Sequence, residues 1–303
     1  MTPPGEDLSD RARGCILAGA IGDAMGGPFE GRAGPIDYED YRPWSVSDDT
    51  QLTLATCESI IEEGAVSAEH VASRLLSWFQ LDRITGIGAS TLKALRDLET
   101  GGHWALAGAK GEMAAGNGAA MRAAPLAFHL DPAEEQDRRV LRDVCRITHQ
   151  NEEAYVGALA VVCAIRSVAF RRSSSVTDLL RDVARDLPDS RVCDRLVAID
   201  GLAEDAPVRQ VAQQFGCSGY VVESVPLALY AARFIDRVGL VEVLRGAIEA
   251  GGDTDTIASI AGQIAGAWLG ARQLPGELVD ALPAEYDIRG IANEFAQTVT
   301  GRQ

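Results

Sequence analysis

The stretch GGDTDTIASIAGQIAGAWLG, residues 251–270, opens with two acids and then runs on in small and apolar residues, with nothing charged until Arg272. From residue 255 onward it is apolar on most faces at helical period, the character of a helix inside a large helical protein. Its glycines and alanines let neighbouring helices come close. AYVGALAVVCAIRSVAF (154–170) and YVVESVPLALYAARFI (220–235) share this character. Reading outward from these three, the pattern predicts helices over 10–25, 50–63, 67–80, 88–99, 117–129, 136–148, 151–170, 176–186, 192–202, 207–215, 219–235, 238–250, 255–271 and 289–299. β-branched alternation bounded by turns is nearly absent, so no strand is predicted. No repeat period and no Pro/Ser-rich linker divides the chain, and one compact all-α domain over 1–303 is expected. The Gly/Pro-rich segment 26–44 reads as a loop, long enough to carry function.

Composition narrows the function classes. The 303 residues are 47% apolar and 24% charged, enough for a large core. Twenty-eight basic against 44 acidic residues give a net charge of -16, which argues against general nucleic-acid or anionic-membrane binding. A small anionic ligand held through metal ions remains compatible with that charge. The N-terminal stretch lacks the basic start and apolar run of a signal peptide. The uncharged apolar run Ala154–Ile165 is too short to cross a bilayer. The six cysteines form no CxxC pair and mostly fall in apolar helical patterns, so reduced packing thiols in a cytoplasmic protein are expected.

Three separated segments gather acids or hydroxyls at a helix end: IGDAMGGPFEG (21–31) with Asp23 and Glu30, WSVSDDTQLTLA (44–55) with Ser47, Asp48, Asp49 and Thr50, and GGDTDT with Asp253, Asp255 and Thr256. Two readings compete. Asp, Ser and Thr cap helices by accepting hydrogen bonds from free N–H groups. A single cap needs only one such residue, however, and apolar helices draw these acids inward, where like charges without a counter-ion are costly. A hard divalent cation resolves that conflict with carboxylate, hydroxyl and water oxygens, and four carboxylates from two sites can hold two ions.

Other motifs are weaker singly. The Gly116–Met121 turn GNGAAM precedes a predicted helix and can offer N–H groups to a phosphate, although Gly-rich helix starts are common and packing is the more frequent reason for one. Arg122 can pair with that phosphate or cap a buried acid. His149 precedes a buried helix, where histidines are more often structural than catalytic. In FGCSGYVVESVP (215–226) a glycine loop leads into a buried helix, with Tyr220 available to stack on a base or ribose.

In this order, GCILAGAIGDAMGGPFE, SDDTQ, GNGAAMRAAPL, THQNEEA, GCSGYVVESVPLAL and GGDTDTIASIAGQIAGA resemble the ADP-ribosylglycohydrolase family over roughly residues 10–272. The resemblance implies an orthogonal all-α bundle with a binuclear Mg²⁺ (or Mn²⁺) centre in a cleft. By position it implies Ser47, Asp48, Asp49, Asp253, Asp255 and Thr256 as metal ligands, with Glu30 and Asp49 as candidate catalytic residues. It implies substrate contacts from Asp48, Gly116, Asn117, Gly118, Ala119, Met121, His149, Ser218, Gly219 and Tyr220. Two departures stand out: Ser47 replaces a threonine but keeps the hydroxyl, and Gly86 of GIGAST (86–91) stands where some members carry an aspartate. Glu30, or a neighbour such as Asp82, then supplies the acid, or the substrate differs.

The activity implied is hydrolysis at ribose C1″ of an ADP-ribosylated acceptor, the acceptor and oligomeric state being left open. The metals hold the distal ribose hydroxyls and position a water, while Glu30 protonates the leaving group or orients that water. The competing readings are a non-catalytic ADP-ribose binder or crystallin-like protein on the same scaffold, and a different metallohydrolase such as a phosphatase.

Overall fold

A computed structural model describes residues 4–171, 175–202 and 205–300. Its helices are α1 (Pro4–Gly26), α2 (Asp48–Glu63), α3 (Ala68–Gln80), α4 (Ala89–Glu99), α5 (Trp104–Ala107), α6 (Glu135–Arg146), α7 (Glu152–Ala169), α8 (Leu179–Asp186), α9 (Arg191–Asp200), α10 (Val208–Phe215), α11 (Val221–Ala232), α12 (Ile235–Glu249), α13 (Thr254–Leu269), α14 (Gly276–Asp280) and α15 (Ile288–Thr300). The fold is all-α. Among the described residues the extended structure consists of one parallel pair, β1 (Ala109–Lys110) beside β2 (His149–Gln150), and one isolated bridge between Gly116 and Tyr220.

The sequence predicts burial of α7, α11 and α13, and all three are buried on nearly every face. Helix α13 is central, packing on α1, α2, α7, α11 and α12. Its contact with α1 is antiparallel and close to backbone on backbone. A Cβ on Gly22 would fall 2.2 Å from the Ala258 carbonyl oxygen, and one on Gly266 would fall 2.1 Å from that of Gly14. Thr254 Oγ1 donates to the Gly26 carbonyl at 2.9 Å, tying the end of α1 to the start of α13. Asp23, the Glu30 loop and the GGDTDT turn therefore lie at one end of this pair.

The 26–44 loop is stitched down there. Gly31 N–H donates to Gly252 O and Gly252 N–H to Arg32 O, both at 2.8 Å, while Ile36 N–H reaches Glu249 O at 2.9 Å. The loop that carries Glu30 is thereby coupled to the turn that carries Asp253.

Several expectations are corrected. Residues 117–129 do not form an α-helix: turns lead to a 3₁₀ helix over Ala124–Phe128. Pro125 lacks the N–H that the interior of an α-helix over 117–129 needs, and sits instead in the first turn of the 3₁₀ helix, where none is required. Asn117 N–H is instead drawn to the Gly219 carbonyl at 3.1 Å. The predicted helix 219–235 ends at Ala232, and α12 begins at Ile235 with a kink at Gly239. The short elements α5, α14, β1 and β2 have too little periodicity to be read from sequence. No helix among the described residues is long and apolar enough to cross a membrane. All six cysteines are free thiols; Cys15, Cys57, Cys145 and Cys163 are buried, whereas Cys193 and Cys217 are half-buried.

Candidate active site

The acidic segments, far apart in sequence, meet at the floor of a cleft of about 530 Å³. Helix α2 delivers Asp48 and Asp49 in its first turn, with Ser47 as N-cap accepting from Asp49 N–H at 3.3 Å. The turn before α13 delivers Asp253, and its first turn Asp255 and Thr256. The capping reading holds for Ser47 but not for Asp253, whose side chain makes no cap hydrogen bond. Asp253 Oδ2 instead accepts from Asn117 Nδ2 at 2.5 Å. Thr256 Oγ1 donates to Asp49 Oδ2 at 3.0 Å, joining the two acidic turns. At the mouth, carboxylate oxygens of Glu30, Asp253 and Asp255 lie within 4.8 Å of one another.

This arrangement is electrostatically unfavourable as it stands. Burial, then Asp23, pushes Asp48 up to about 8. Burial, then Asp253, pushes Asp255 up to about 9. Asp49 is driven well above the carboxylate range by burial and then by Asp255, and Glu30 rises through partial burial and then Asp253. No ion pair among the described residues includes these carboxylates. Asp49 Oδ1 is buried with no hydrogen-bond partner among the described residues. An acceptor left orphaned amid repelling acids and hydroxyl oxygens fits a hard divalent cation.

One wall of the cleft is a glycine-rich turn with backbone N–H groups left over. Gly116, Asn117, Gly118 and Met121 line it, beside Ser218 and Gly219. The N–H groups of Gly118 and Ala119 make no hydrogen bond within the described chain, whereas those of Asn117, Ala120 and Met121 are all used. The ladder between β1 and β2 sets His149 against Gly116 and Gly118, lining the cleft though only 3% exposed. Its Nδ1 contacts Thr148 Oγ1 at 2.8 Å. Burial, then the Arg122 guanidinium, lowers it to about 3, so the ring is neutral at physiological pH. Arg122 neither faces the ligand nor caps an acid: it is buried beneath the loop, with Nη1 on Gly118 O at 2.5 Å and Nη2 on Val144 O at 3.1 Å.

Three site residues expected from the sequence stand off the cleft lining. Ala119 is buried, Ser47 is half-buried with its hydroxyl on Asp23 and near Asp49, and Tyr220 lines an adjoining groove with Arg191 and Arg195. Gly86 does line the cleft, with φ +77° and a Cβ position 3.6 Å from Asp48 Oδ1. Asp82 is exposed just beyond α3, outside the lining, whereas Glu30 lines the cleft. The sequence reading missed two roles. Asn117 clamps Asp253 as well as lining the cleft, and Asp23 holds the first turn of α2 through four donors. No local signal marks either, because their partners lie 136, 24 and 27 residues away.

The chain resembles known proteins over nearly its full length. It is 26% identical to ADP-ribosylhydrolase ARH3 of Danio rerio over 316 residues, 88% of this chain and 85% of that protein. It is 27% identical to ADP-ribosylarginine hydrolase Tri1 of Pseudomonas putida (strain GB-1) over 315 residues, 97% of this chain and 80% of that protein. A solved structure described as an ADP-ribosylglycohydrolase-related protein complex superposes with a TM-score of 0.73 at 26% identity, covering 97% of this chain and 99% of that one. The sequence profile of the ADP-ribosylglycohydrolase family matches residues 4–303, and with the acidic floor and glycine wall joined in one cleft, the chain belongs to that family.

Proposed function

We propose that this protein, as a single domain over 1–303, is a divalent-cation-dependent hydrolase. It releases ADP-ribose by cleaving the glycosidic bond between ribose C1″ and an acceptor. Family membership supports ADP-ribosylhydrolase activity. The observation that carries the metal requirement is the orphaned, buried Asp49 Oδ1 within the acidic cluster. In this reading Ser47, Asp48, Asp49, Asp253, Asp255 and Thr256 hold two Mg²⁺ or Mn²⁺ ions. When bound, such ions orient vicinal ribose hydroxyls and lower the pKa of water. The chain's own groups do the rest. The free N–H group of Gly118 binds the diphosphate, and neutral His149 presents Nε2–H beside it once Thr148 gives its hydrogen to Nδ1. Ser218 and Gly219 close the adenosine side, with Tyr220 beyond. Glu30, with its raised proton affinity, protonates the leaving group or orients water at C1″, and the anionic floor including Asp49 favours oxocarbenium character. The unbridged thiols fit a cytoplasmic setting.

The test offers arginine-, serine- and nucleobase-linked ADP-ribose and O-acetyl-ADP-ribose to the protein with Mg²⁺ or with EDTA. Metal-dependent release from one acceptor is expected, falling about 10²- to 10⁴-fold in Glu30→Gln. No release from any of them, with ADP-ribose still raising the Tm, overturns the hydrolase in favour of a binding protein.

A further inference from the structure

Asp23 has no part in the mechanism above, yet it is the most fully bonded acid near the site. It sits in α1 with 1% exposure and points at the first turn of α2. Its Oδ1 accepts from Ser47 N–H at 3.1 Å and from the Ser47 hydroxyl at 2.9 Å. Its Oδ2 accepts from Thr50 N–H at 3.1 Å and from the Thr50 hydroxyl at 2.5 Å. Asp23 is absent from the cleft lining, and its oxygens are already occupied. Its effect on the cleft must pass through the residues it holds.

The decisive atom is Ser47 Oγ. A hydroxyl has one hydrogen and two lone pairs. The hydrogen goes to Asp23 at 2.9 Å in preference to Asp49 Oδ2 at 3.4 Å, and one lone pair takes Asp49 N–H at 3.3 Å. What remains for the acidic cluster is a lone pair. We propose that Asp23 is the positioning residue of the cation site: by taking the Ser47 hydrogen it fixes that oxygen as an acceptor toward the cluster, and by clamping Thr50 it fixes the turn that carries Asp48 and Asp49. An uncharged isostere cannot do both. An amide that accepts from Thr50 turns its NH₂ toward Ser47, whose hydroxyl must then accept and aim its hydrogen at the place where a cation needs electrons. The inference rests on the reading that Ser47, Asp48 and Asp49 hold the cations.

The experiment measures Mn²⁺ dissociation constants by titration calorimetry and by loss of the free-ion EPR signal, alongside the metal-free Tm, in the full chain. Asp23→Asn is expected to weaken Mn²⁺ about 10- to 100-fold, as loss of an outer-layer partner does. Thr50→Val removes a donor to Asp23 but leaves the Ser47 contact; it is expected to lower the metal-free Tm while Mn²⁺ affinity stays within about threefold, the position of the turn being held by the Thr50 N–H bond. In a Ser47→Ala background, Asp23→Asn is expected to lose most of its effect, because the oxygen it orients is gone. An unchanged constant in Asp23→Asn overturns the proposal, as does a loss of affinity that merely follows Tm across both variants. So does full additivity with Ser47→Ala. If Asp23→Asn does not fold, Ser47→Ala alone decides: an unchanged Mn²⁺ constant shows that the hydroxyl, and so its orientation, is irrelevant. Failure of the wild type to bind Mn²⁺ overturns the cation site itself, whereas binding that Asp49→Asn abolishes and Asp23→Asn does not overturns only the role of Asp23.

Discussion

Asp49 is the residue on which the site turns, because the protein buries its carboxylate and leaves Oδ1 without a partner. Asp255, Asp23, Asp48 and Asp253 all push its proton affinity upward, with burial the leading cause. Without metal, the folded chain holds a proton there up to a higher pH than the unfolded chain does. Asp49→Asn removes that cost, so in EDTA its Tm is expected to exceed wild type by about 2–4 °C for each kcal/mol recovered, with a larger gain at pH 8 than at pH 5.5. The same variant is expected to lose Mg²⁺-induced stabilisation and turnover, which scanning calorimetry and the release assay check. A Tm that falls in EDTA would mark Asp49 as an ordinary structural acid. These residues were legible in the sequence because SDDT and DTDT concentrate oxygen donors within four positions, beyond what a cap requires. Asp23 was not: in sequence it is one acid among apolar residues, and its partners arrive only when α1 lies beside the start of α2.

At the scale of elements, the antiparallel pair α1 and α13 sets the site. Small residues along both helices bring the backbones together, and Asp23 and Asp255 ride on that contact. Gly266→Ala would place a methyl 2.1 Å from the Gly14 carbonyl oxygen, far along α13 from the acids. Overpacking of this kind costs about 1–3 kcal/mol, or roughly 2–12 °C in Tm, with Mn²⁺ affinity expected to stay near wild type. Gly22→Ala would place its methyl 2.2 Å from the Ala258 carbonyl oxygen, beside Asp23, and is expected to lower Tm and Mn²⁺ affinity together. Equal Mn²⁺ affinities in the two variants would show that the helix contact does not transmit to the cluster. Helices of this sort could be read from sequence because they are apolar all round. The 117–129 segment could not, because its conformation is decided by Gly219 and Tyr220, which approach from another part of the chain, and by Pro125.

For the whole molecule, the question is how a chain of net charge -16 tolerates acids gathered in its interior. Its surface charges pair freely, as in Arg74 with Glu58 and Glu62, or Arg181 with Asp178 and Asp200, but the cleft acids have no such partners among the described residues. Their compensation must come from protons or cations, and the two compete. Asp48 lies near 8 and Asp255 near 9 in the folded chain, while Asp23, Asp49 and Glu30 also shift upward. Unfolded carboxylates titrate near 4. Between about pH 4 and 9, then, these acids hold more protons in the metal-free folded state than in the unfolded one, outweighing the single proton that His149, neutral in the fold, forgoes below about pH 6.5. Stability must fall as pH rises through that window, by up to about 1.4 kcal/mol per pH unit for each extra proton held. The metal-free Tm is accordingly expected to decline from pH 5.5 to pH 8.5. A divalent cation needs the deprotonated acids, so its affinity grows over the same range and offsets the decline. Calorimetric scans at fixed ionic strength, with EDTA or with saturating Mg²⁺, check this. The Mg²⁺-induced rise in Tm should be small at pH 5.5 and larger at each step toward pH 8.5. A Mg²⁺ shift that stays constant or shrinks with pH would mean that the cation binds away from these acids, and the cleft floor would lose its assignment.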